Sequence, residues 1–242
     1  MTAPKLHRSL IQNMEMFRAL SDDELDRTLE HAQPRRLLPG DAVYRQGELA
    51  GYFFILLHGT LKVVQATAEG EQVVVRFVSP GDVFGIARMM RRPDYPATVL
   101  AVQESLVLAW PSSEWERMVA ANPQLTGNAL QTVGQRLQSA HSRIRELSTE
   151  EVEQRVARAI LRLLDQSGRT SEEGRIEIDF PITRQDIAEM TGTTLHTVSR
   201  ILSLWKERGI VENARKRVIV LQPDELIRYA EGAQGSRHPE PA

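Results

Sequence analysis

Short apolar runs separated by glycine-containing turns fill the chain from about residue 36 to residue 110. The runs are rich in the β-branched and aromatic residues that favour strands, and turns such as Pro39-Gly40-Asp41 lie between them. We predict strands at residues 42–45, 52–57, 60–65, 72–78 and 98–110. Short strands spaced this closely indicate a small antiparallel barrel or jelly roll.

Predicted helices lie on both sides of the barrel segment in the sequence. One helix is predicted over residues 17–32, where Ser21 and Glu24 have the spacing of a capping box. A longer helix is predicted over residues 123–148, because its apolar side chains are alternately three and four residues apart, as in a coiled-coil seam. The seam consists of Leu130, Val133, Leu137, Ala140, Ile144 and Leu147. Two interpretations remain open: pairing with a second copy, which we favour, and packing on the chain's own barrel.

The C-terminal part opens with an amphipathic helix, predicted over residues 151–166. A loop from residue 167 leads to a predicted strand at residues 175–179. Residues 231–242 are rich in glycine, proline and charge, and we predict that this tail is disordered.

Two helices joined by a glycine turn are predicted between residues 183 and 208. Thr183, followed by Asp186, caps a helix that runs through residue 190, and Thr194 caps a second helix that runs to about residue 208. Gly192 lies in the turn. Two helices joined by a short turn of this kind define a helix-turn-helix.

The second of these helices has two contrasting faces. The apolar face is expected to be buried, and it consists of Leu195, Val198, Leu202 and Trp205. The opposite face is polar and presents Arg200, whose guanidinium can donate two hydrogen bonds to O6 and N7 of guanine. A polar face is in many proteins simply solvated, but a predicted β-hairpin wing with Arg215, Lys216 and Arg217 at its tip adds a surface for backbone phosphates. Together these features predict DNA binding.

Composition narrows the function classes. The 242 residues include 30 basic and 32 acidic ones, so any DNA contact must come from a local surface. No cysteine is present, which excludes disulfides, zinc thiolates and iron–sulfur clusters. We find neither a signal peptide nor a membrane span and expect a cytoplasmic protein. No catalytic triad, phosphate loop or carboxylate cluster indicates an enzyme.

Both halves of the chain resemble the CRP/FNR family of bacterial transcription regulators. The C-terminal similarity lies in residues 182–188, 197–202 and 209–211, and the barrel similarity in the turns at residues 39–41, 45–48 and 80–82 with Gly59, Gly70 and Gly85. The resemblance implies an α+β fold with a cyclic-nucleotide-binding-like jelly-roll barrel at residues 1–122, a dimerisation helix at 123–148 and a winged helix-turn-helix at 149–230. Residues 192–200 are similar to the denitrification and nitric-oxide-responsive (Dnr/NnrR-like) branch.

The resemblance also implies which residues meet DNA. Arg200 would read guanine with Ser199 beside it, and His196 stands where the family usually has a glutamate that accepts from cytosine. Because imidazole cannot replace a carboxylate acceptor, we expect the half-site to depart from the commonest family sequence. The predicted DNA-binding residues are Arg184, Thr194, His196, Thr197, Ser199, Arg200, Ser203, Arg215, Lys216 and Arg217.

The effector pocket is expected around the places where cyclic-AMP-binding members hold the ribose and the phosphate. Those places carry Ile86 and Tyr95-Pro96 instead of a glutamate and an Arg-Ser pair, so cyclic AMP is not the expected effector. The predicted pocket residues are Phe84, Gly85, Ile86, Tyr95, Pro96 and Ala97. Three nearby arginines either meet an anion or, as we favour, form an exposed loop: Arg88, Arg91 and Arg92.

A haem-based gas sensor is compatible with the lack of cysteine, because imidazole can ligate iron. Four histidines are candidates, of which His58 and His141 are singled out, the others being His7 and His31; each is otherwise an ordinary surface histidine.

We therefore predict a homodimeric regulator that reads a pseudo-palindromic operator in double-stranded DNA, with RNA polymerase as a further partner. An effector in the barrel controls it, with haem or nitric oxide as candidates. The alternative is a nucleotide-binding module that regulates a partner protein.

Overall fold

The computed structural model describes residues 6–18, 20–170, 175–214 and 216–232. The chain divides into two compact units, Met1–Ala140 and His141–Ala242. The division falls inside one long helix rather than at its end. In the described residues, no helix has the length and apolar character needed to cross a membrane.

The first unit contains two four-stranded sheets. Its strands are β1 (Gln33–Leu37), β2 (Ala42–Tyr44), β3 (Tyr52–His58), β4 (Leu61–Ala66), β5 (Gln72–Val78), β6 (Val83–Phe84), β7 (Thr98–Ala101) and β8 (Ser105–Pro111). One sheet has the order β1-β8-β3-β6 and the other β2-β7-β4-β5, with antiparallel neighbours throughout.

Strand β3 separates two hydrophobic cores. Successive side chains of a strand point to opposite faces, so Phe54 and Leu56 lie in the core between the two sheets, whereas Phe53 and Ile55 lie in a second core on the outer face. Helices α1 (Asp22–Glu30), α2 (Glu114–Ala121) and the start of α3 (Gln124–Thr149) cover that outer face. Burial on both faces explains why β3 is an almost continuous apolar run.

In its described residues, the second unit packs the last turns of α3 and four further helices with a small sheet. Its elements are α4 (Val152–Ser167), β9 (Gly168–Thr170), β10 (Ile176–Ile178), α5 (Arg184–Thr191), α6 (Leu195–Glu207), β11 (Val211–Ala214), β12 (Arg217–Val220) and α7 (Pro223–Ala230). The strand order is β11-β12-β10-β9. Helix α4 buries Val156, Ile160 and Leu163 almost completely, as expected from its amphipathic pattern.

The predicted fold class is confirmed, but three predicted elements were wrong. The single strand at 98–110 is two strands in different sheets, because the chain turns at residues 102–104. The helix at 17–32 begins only at Asp22, where Ser21 and Glu24 close a capping box. The loop predicted from residue 167 is instead the end of α4 followed directly by β9.

Several elements had no prediction, among them the strands β1 and β6 and the helices α2 and α7. Strand β1 contains Pro34, which a sheet tolerates because β1 is an edge strand. Helix α2 is short and lies just before α3. The tail predicted to be disordered falls outside the described residues from position 233 onward.

Candidate nucleic-acid interface and effector region

Helix α5 begins at a reciprocal cap. Asp186 N donates to Thr183 Oγ1 at 3.0 Å, and Thr183 N donates to Asp186 Oδ2 at 2.9 Å. This satisfies two backbone N–H groups that the first turn of a helix would otherwise leave unpaired. The start of the helix-turn-helix is therefore fixed at Thr183, as predicted.

The turn between α5 and α6 depends on Gly192. Its φ of +61° and ψ of +44° lie in the left-handed region, which glycine adopts without steric cost. Two residues later, Thr194 Oγ1 accepts from Thr197 N at 3.1 Å and caps α6. The hydroxyls of Thr194 and Thr197 also lie 3.0 Å apart, so both predicted DNA-contact residues stabilise the helix start.

The orientation of α6 is set by its buried face. Val198, Leu202 and Trp205 have no exposed surface. Trp205 Nε1 donates to Glu153 Oε1 at 2.9 Å, and its ring centroid lies 5.3 Å from that of Tyr229. The prediction that Leu195 joins this face was wrong: it is 47% exposed, because it is the first helical residue and lies beyond the core.

The outward face of α6 is the predicted DNA-reading surface. His196, Arg200 and Ser203 are exposed, and Ser199 is half-buried between them. In the part of the chain that the structure describes, no hydrogen bond or ion pair engages the Arg200 side chain, and Lys206 continues the same exposed face. Arg184, the first residue of α5, is also exposed. The surface is thus open to a polar partner.

The wing is partly engaged by the chain itself. Arg217 forms an ion pair with Glu177, which reduces the positive charge that it can offer. Lys216 is exposed with a φ of +58°, and its carbonyl accepts from Ile182 N at 3.0 Å. This bond ties the hairpin to the segment just before α5. The third predicted wing residue, Arg215, lies outside the described residues.

Two arginines, Arg143 of α3 and Arg155 of α4, donate to the last turn of α5 in the helix-turn-helix. Arg143 Nη2 donates to Met190 O at 2.9 Å, and Arg155 Nε of α4 donates to Thr191 O at 3.0 Å. Both carbonyls belong to the last turn of α5, where no N–H group within the helix can bond to them. The negative end of the helix dipole also lies there and stabilises nearby cations. Burial lowers the pKa of Arg143. Neither bond could be predicted from the sequence, because each arginine pairs with a backbone carbonyl that is distant in sequence.

Aromatic side chains fill the predicted effector pocket. Tyr95 stacks on Tyr44 with ring centroids 3.7 Å apart, and Phe84 stacks on Phe54 at 5.2 Å. The Tyr95 hydroxyl donates to Tyr52 O at 2.7 Å and accepts from Tyr52 N at 3.0 Å. Burial raises the pKa of Tyr95. The side chain that replaces the family's phosphate-binding pair is therefore part of the core.

The other predicted pocket residues surround this cluster. Ala97 is buried, Ile86 is half-buried and Pro96 is exposed. Gly85 has a φ of +71°, and a Cβ there would lie 2.8 Å from the Phe54 ring. The absence of a side chain at position 85 is therefore what lets Phe54 occupy its place.

The three loop arginines lie at the surface, in agreement with the interpretation that we favoured. Arg88, Arg91 and Arg92 are exposed. Arg92 pairs with Asp94 at 3.6 Å, and Arg91 ends a 3₁₀ turn, Arg88–Met90, with a φ of +56°.

A further arginine, which the sequence analysis did not identify, contacts the barrel directly. Arg136 of α3 donates to Val83 O, and burial, with Arg76 nearby, lowers the pKa of Arg136 to about 10. Arg76 itself pairs with Asp82 at 3.1 Å. Arg136 had no signal in the sequence because its carbonyl partner, Val83 O, lies 53 residues away along the chain.

The histidines singled out as haem ligands are both exposed. His58 ends β3, and His141 lies on α3. Among the described residues, no group of three or more histidine or carboxylate side chains is placed to hold a metal ion.

The apolar stripe of α3 is largely uncovered. Leu130 is 70% exposed, Leu137 55% and Ile144 61%. Leu147 and Ala140 are exposed as well, and Val133 is half-buried. The interpretation in which this stripe packs on the chain's own barrel therefore fails for Leu130 and Leu137.

Comparison with known proteins matches both units. Residues 34–122 match the family model of the cyclic nucleotide-binding domain, and residues 154–229 match that of the Crp-like helix-turn-helix domain. The two segments together span more than half of the chain. They define a two-domain regulator in which an effector-binding domain precedes a DNA-binding domain.

Known relatives match this chain over most of its length, across both units. The cyclic AMP receptor protein of Thermus thermophilus is 28% identical over 197 residues, covering 81% of this chain and 87% of the relative. The transcriptional activator protein FnrA of Stutzerimonas stutzeri is 26% identical, covering 87% and 85%. The structure of FixK2 from Bradyrhizobium japonicum superposes with a TM-score of 0.72 at 22% identity, covering 82% of this chain and 96% of FixK2, and supports the fold alone. The chain belongs to the CRP/FNR family of DNA-binding transcription regulators.

Proposed function

We propose that the chain binds a pseudo-palindromic operator as a homodimer, with α6 of each copy in the major groove. The observation that carries the proposal is the exposed polar face of α6, on which Arg200 has no partner among the described residues while the opposite face is locked by Trp205. An arginine held this way can present two donors to guanine. A twofold dimer would read half-sites roughly 34 Å apart.

The other predicted DNA-binding residues divide by role. His196, Ser199 and Ser203 share the outward face with Arg200 and are proposed to contact bases. Arg184 and Lys216 are exposed cations at the ends of neighbouring elements and are proposed to contact phosphates. Thr194 and Thr197 are proposed to act mainly by fixing the helix start, and Arg217 contributes less charge because Glu177 engages it.

Selection of a binding sequence from random DNA, followed by fluorescence anisotropy, tests this proposal. Arg200→Ala should cost about 1–3 kcal/mol and relax the preference at one base position of each half-site. Arg184→Ala is the matched control, because losing a phosphate contact weakens all sequences equally and flattens the salt dependence. An unchanged base preference in Arg200→Ala contradicts the assigned role.

Dimerisation is proposed through the uncovered stripe of α3. An apolar stripe with heptad spacing is stable in water only when a partner helix covers it. Leu137→Glu should shift the protein to a monomer in analytical ultracentrifugation, whereas Gln138→Glu, one residue away on the exposed surface, should leave the dimer intact. A dimer that survives Leu137→Glu would refute the assignment.

Cyclic AMP is not the effector that we propose, although the name of the Thermus relative refers to it. The cyclic phosphate would need donors where this chain has Tyr95, whose ring stacks on Tyr44 and whose hydroxyl is already bonded twice. Burying a phosphate without compensating donors is unfavourable. Calorimetric titration with cyclic AMP should give no binding heat, and submillimolar binding would contradict this reasoning.

A haem-based response to nitric oxide, with its link to the denitrification branch, is a second candidate for the effector. It rests on the exposed imidazoles of His58 and His141, so haem would lie at the surface and not among the packed rings of the barrel. An anaerobic absorption spectrum after haem addition tests it. A Soret band that shifts with nitric oxide and is lost in His58→Ala or His141→Ala would support the candidate.

Effector binding is proposed to act on the pairing of the two α3 helices. A ligand that binds one dimer arrangement more tightly than another shifts the population toward it, and this would change the spacing of the two recognition helices. The DNA-bound dimer is expected to act on RNA polymerase in the cytoplasm. Operator affinity that is independent of every ligand and of redox state would contradict the switch.

A further inference from the structure

A cleft of about 210 Å³ lies on the outer side of the first unit, away from the core between the two sheets. Its walls come from α1, the end of β8, α2 and the start of α3. We call it the α1–α2 cleft. Its apolar lining includes Leu20, Trp110, Met118 and Leu125, and Ala121 lies at its exposed rim.

The apolar lining cannot itself offer a polar group to a ligand. The Trp110 Nε1–H already donates to Thr28 O at 2.7 Å, and its ring stacks on Phe53 with centroids 5.4 Å apart. Met118 and Leu125 belong to the same outer core. Trp110 and Leu125 are almost fully buried beneath the cleft floor, so the apolar surface open to a ligand comes mainly from Leu20, Met118 and Ala121, and it favours an apolar ligand body.

One carboxylate of the cleft is buried and incompletely paired. Glu114 is only 8% exposed. Its Oε1 accepts from Arg117 at 3.1 Å, but the Arg117 side chain is 72% exposed. The His31 Nε2 atom lies 3.8 Å from Oε2, beyond hydrogen-bond distance, and no hydrogen bond from another described group reaches Oε2. A buried carboxylate oxygen without a donor is costly and is satisfied by a ligand that supplies one.

The other charges of the cleft do not compete for this role. Glu24 already accepts from Ser21 and from Asn122. Arg27, Glu30 and Arg117 are exposed at the rim, where water solvates them whether or not a ligand is bound. The buried charge that gains most from a ligand is therefore negative, and the complementary ligand is a cation.

We propose that the α1–α2 cleft binds a small organic amine, with its ammonium group on Glu114 and its hydrocarbon or aromatic body on Leu20 and Met118. A charge-assisted hydrogen bond to Oε2 is stronger than a neutral one. The site lies on a different face of the sheet from the aromatic cluster that fills the family's nucleotide position. The proposal concerns binding alone, so it stands or falls independently of the proposed DNA recognition.

Calorimetric titration of the full-length protein with three matched probes tests the proposal. The probes are phenethylamine, 2-phenylethanol and 3-phenylpropionate, which have similar bodies and a positive, neutral or negative head group. Phenethylamine should bind with a Kd of about 1 mM or tighter, at least about tenfold tighter than the alcohol and more so than the carboxylate. Equal affinity for the three probes, preference for the carboxylate, or no binding of the amine overturns the proposal.

Variants distinguish the contribution of the Glu114 charge from that of the open volume of the α1–α2 cleft. Glu114→Gln should weaken phenethylamine at least about tenfold and leave 2-phenylethanol unchanged, whereas Glu116→Gln, an exposed acid on the same helix outside the cleft lining, should change neither. Ala121→Phe places a ring at the rim and should abolish binding of both probes while the circular dichroism spectrum stays native. Amine binding that survives both Glu114→Gln and Ala121→Phe refutes the assigned site.

Discussion

Gly192→Ala should destabilise the helix-turn-helix through the backbone rather than through packing. An L-residue in the left-handed region costs about 1–2 kcal/mol, and Gly192 lies there with a φ of +61°. The added Cβ would lie 3.0 Å from Leu147 Cδ2, the far end of a flexible side chain that can move a few tenths of an ångström. The backbone cost should therefore dominate.

Hydrogen exchange of peptides from residues 184–207, followed by mass spectrometry, measures this effect locally. A loss of 1–2 kcal/mol corresponds to exchange roughly 5–30-fold faster. Operator affinity should fall as well, because α5 no longer holds α6 at its native angle.

Two control variants distinguish the backbone cost from other causes. Gly70→Ala places the same kind of strain, at a φ of +86° with no atom within 4 Å, in the other unit, so exchange in residues 184–207 should not change. Adding Leu147→Ala to Gly192→Ala should recover little of the loss. Unchanged exchange in Gly192→Ala, or complete recovery in the double variant, would refute the backbone argument.

Three further predictions concern caps and buried charges. Thr183→Ala should destabilise the second unit by about 1 kcal/mol in thermal unfolding, since Asp186 N loses its acceptor, whereas Thr183→Ser should retain the cap. Arg162→Leu should cost about 1–3 kcal/mol because Glu146, 8% exposed, loses Arg162 Nη1, which lies 2.7 and 2.8 Å from its two carboxylate oxygens; adding Glu146→Leu should restore stability, and a neutral single variant would contradict this. The Ser21 backbone N–H lowers the pKa of Glu24 below its ordinary value of 4.5. The stability that the ionised Glu24 confers is therefore fully present above pH 4.5 and is lost as the pH falls through the lowered pKa. In Glu24→Gln the stability difference from the wild type should shrink on acidification, as measured by urea unfolding across the acid range.

The helix-turn-helix was predictable because its signals are local. A threonine cap at each helix start and a glycine in the turn determine α5 and α6 within a few residues of sequence, and the structure has both caps. The prediction that Leu195 is buried was wrong because residue spacing alone does not show where the hydrophobic core ends.

The barrel was predicted as a class but not strand by strand. Residues 98–110 look like one apolar run, and only long-range pairing assigns β7 to one sheet and β8 to the other. Strand β1 contains a proline, and its place at a sheet edge is invisible in the sequence.

The α1–α2 cleft was beyond prediction for the same reason. Glu24, Trp110 and Glu114 come from three elements separated by up to about ninety residues. Glu114, as a lone glutamate at a helix start, gives no sign that its carboxylate is buried. Burial of a charge is a property of the packed fold.

The bonds from Arg143 and Arg155 to the last carbonyls of α5 have a consequence for how this architecture can be divided. The compact C-terminal unit begins at His141 and so includes the last turns of α3. A fragment starting at α4 would keep every residue of the helix-turn-helix yet lose the Arg143 donor and the Glu146–Arg162 pair. Exchange of DNA-binding halves between relatives therefore has its natural junction inside the long helix, where a swapped half carries its own anchoring turns with it.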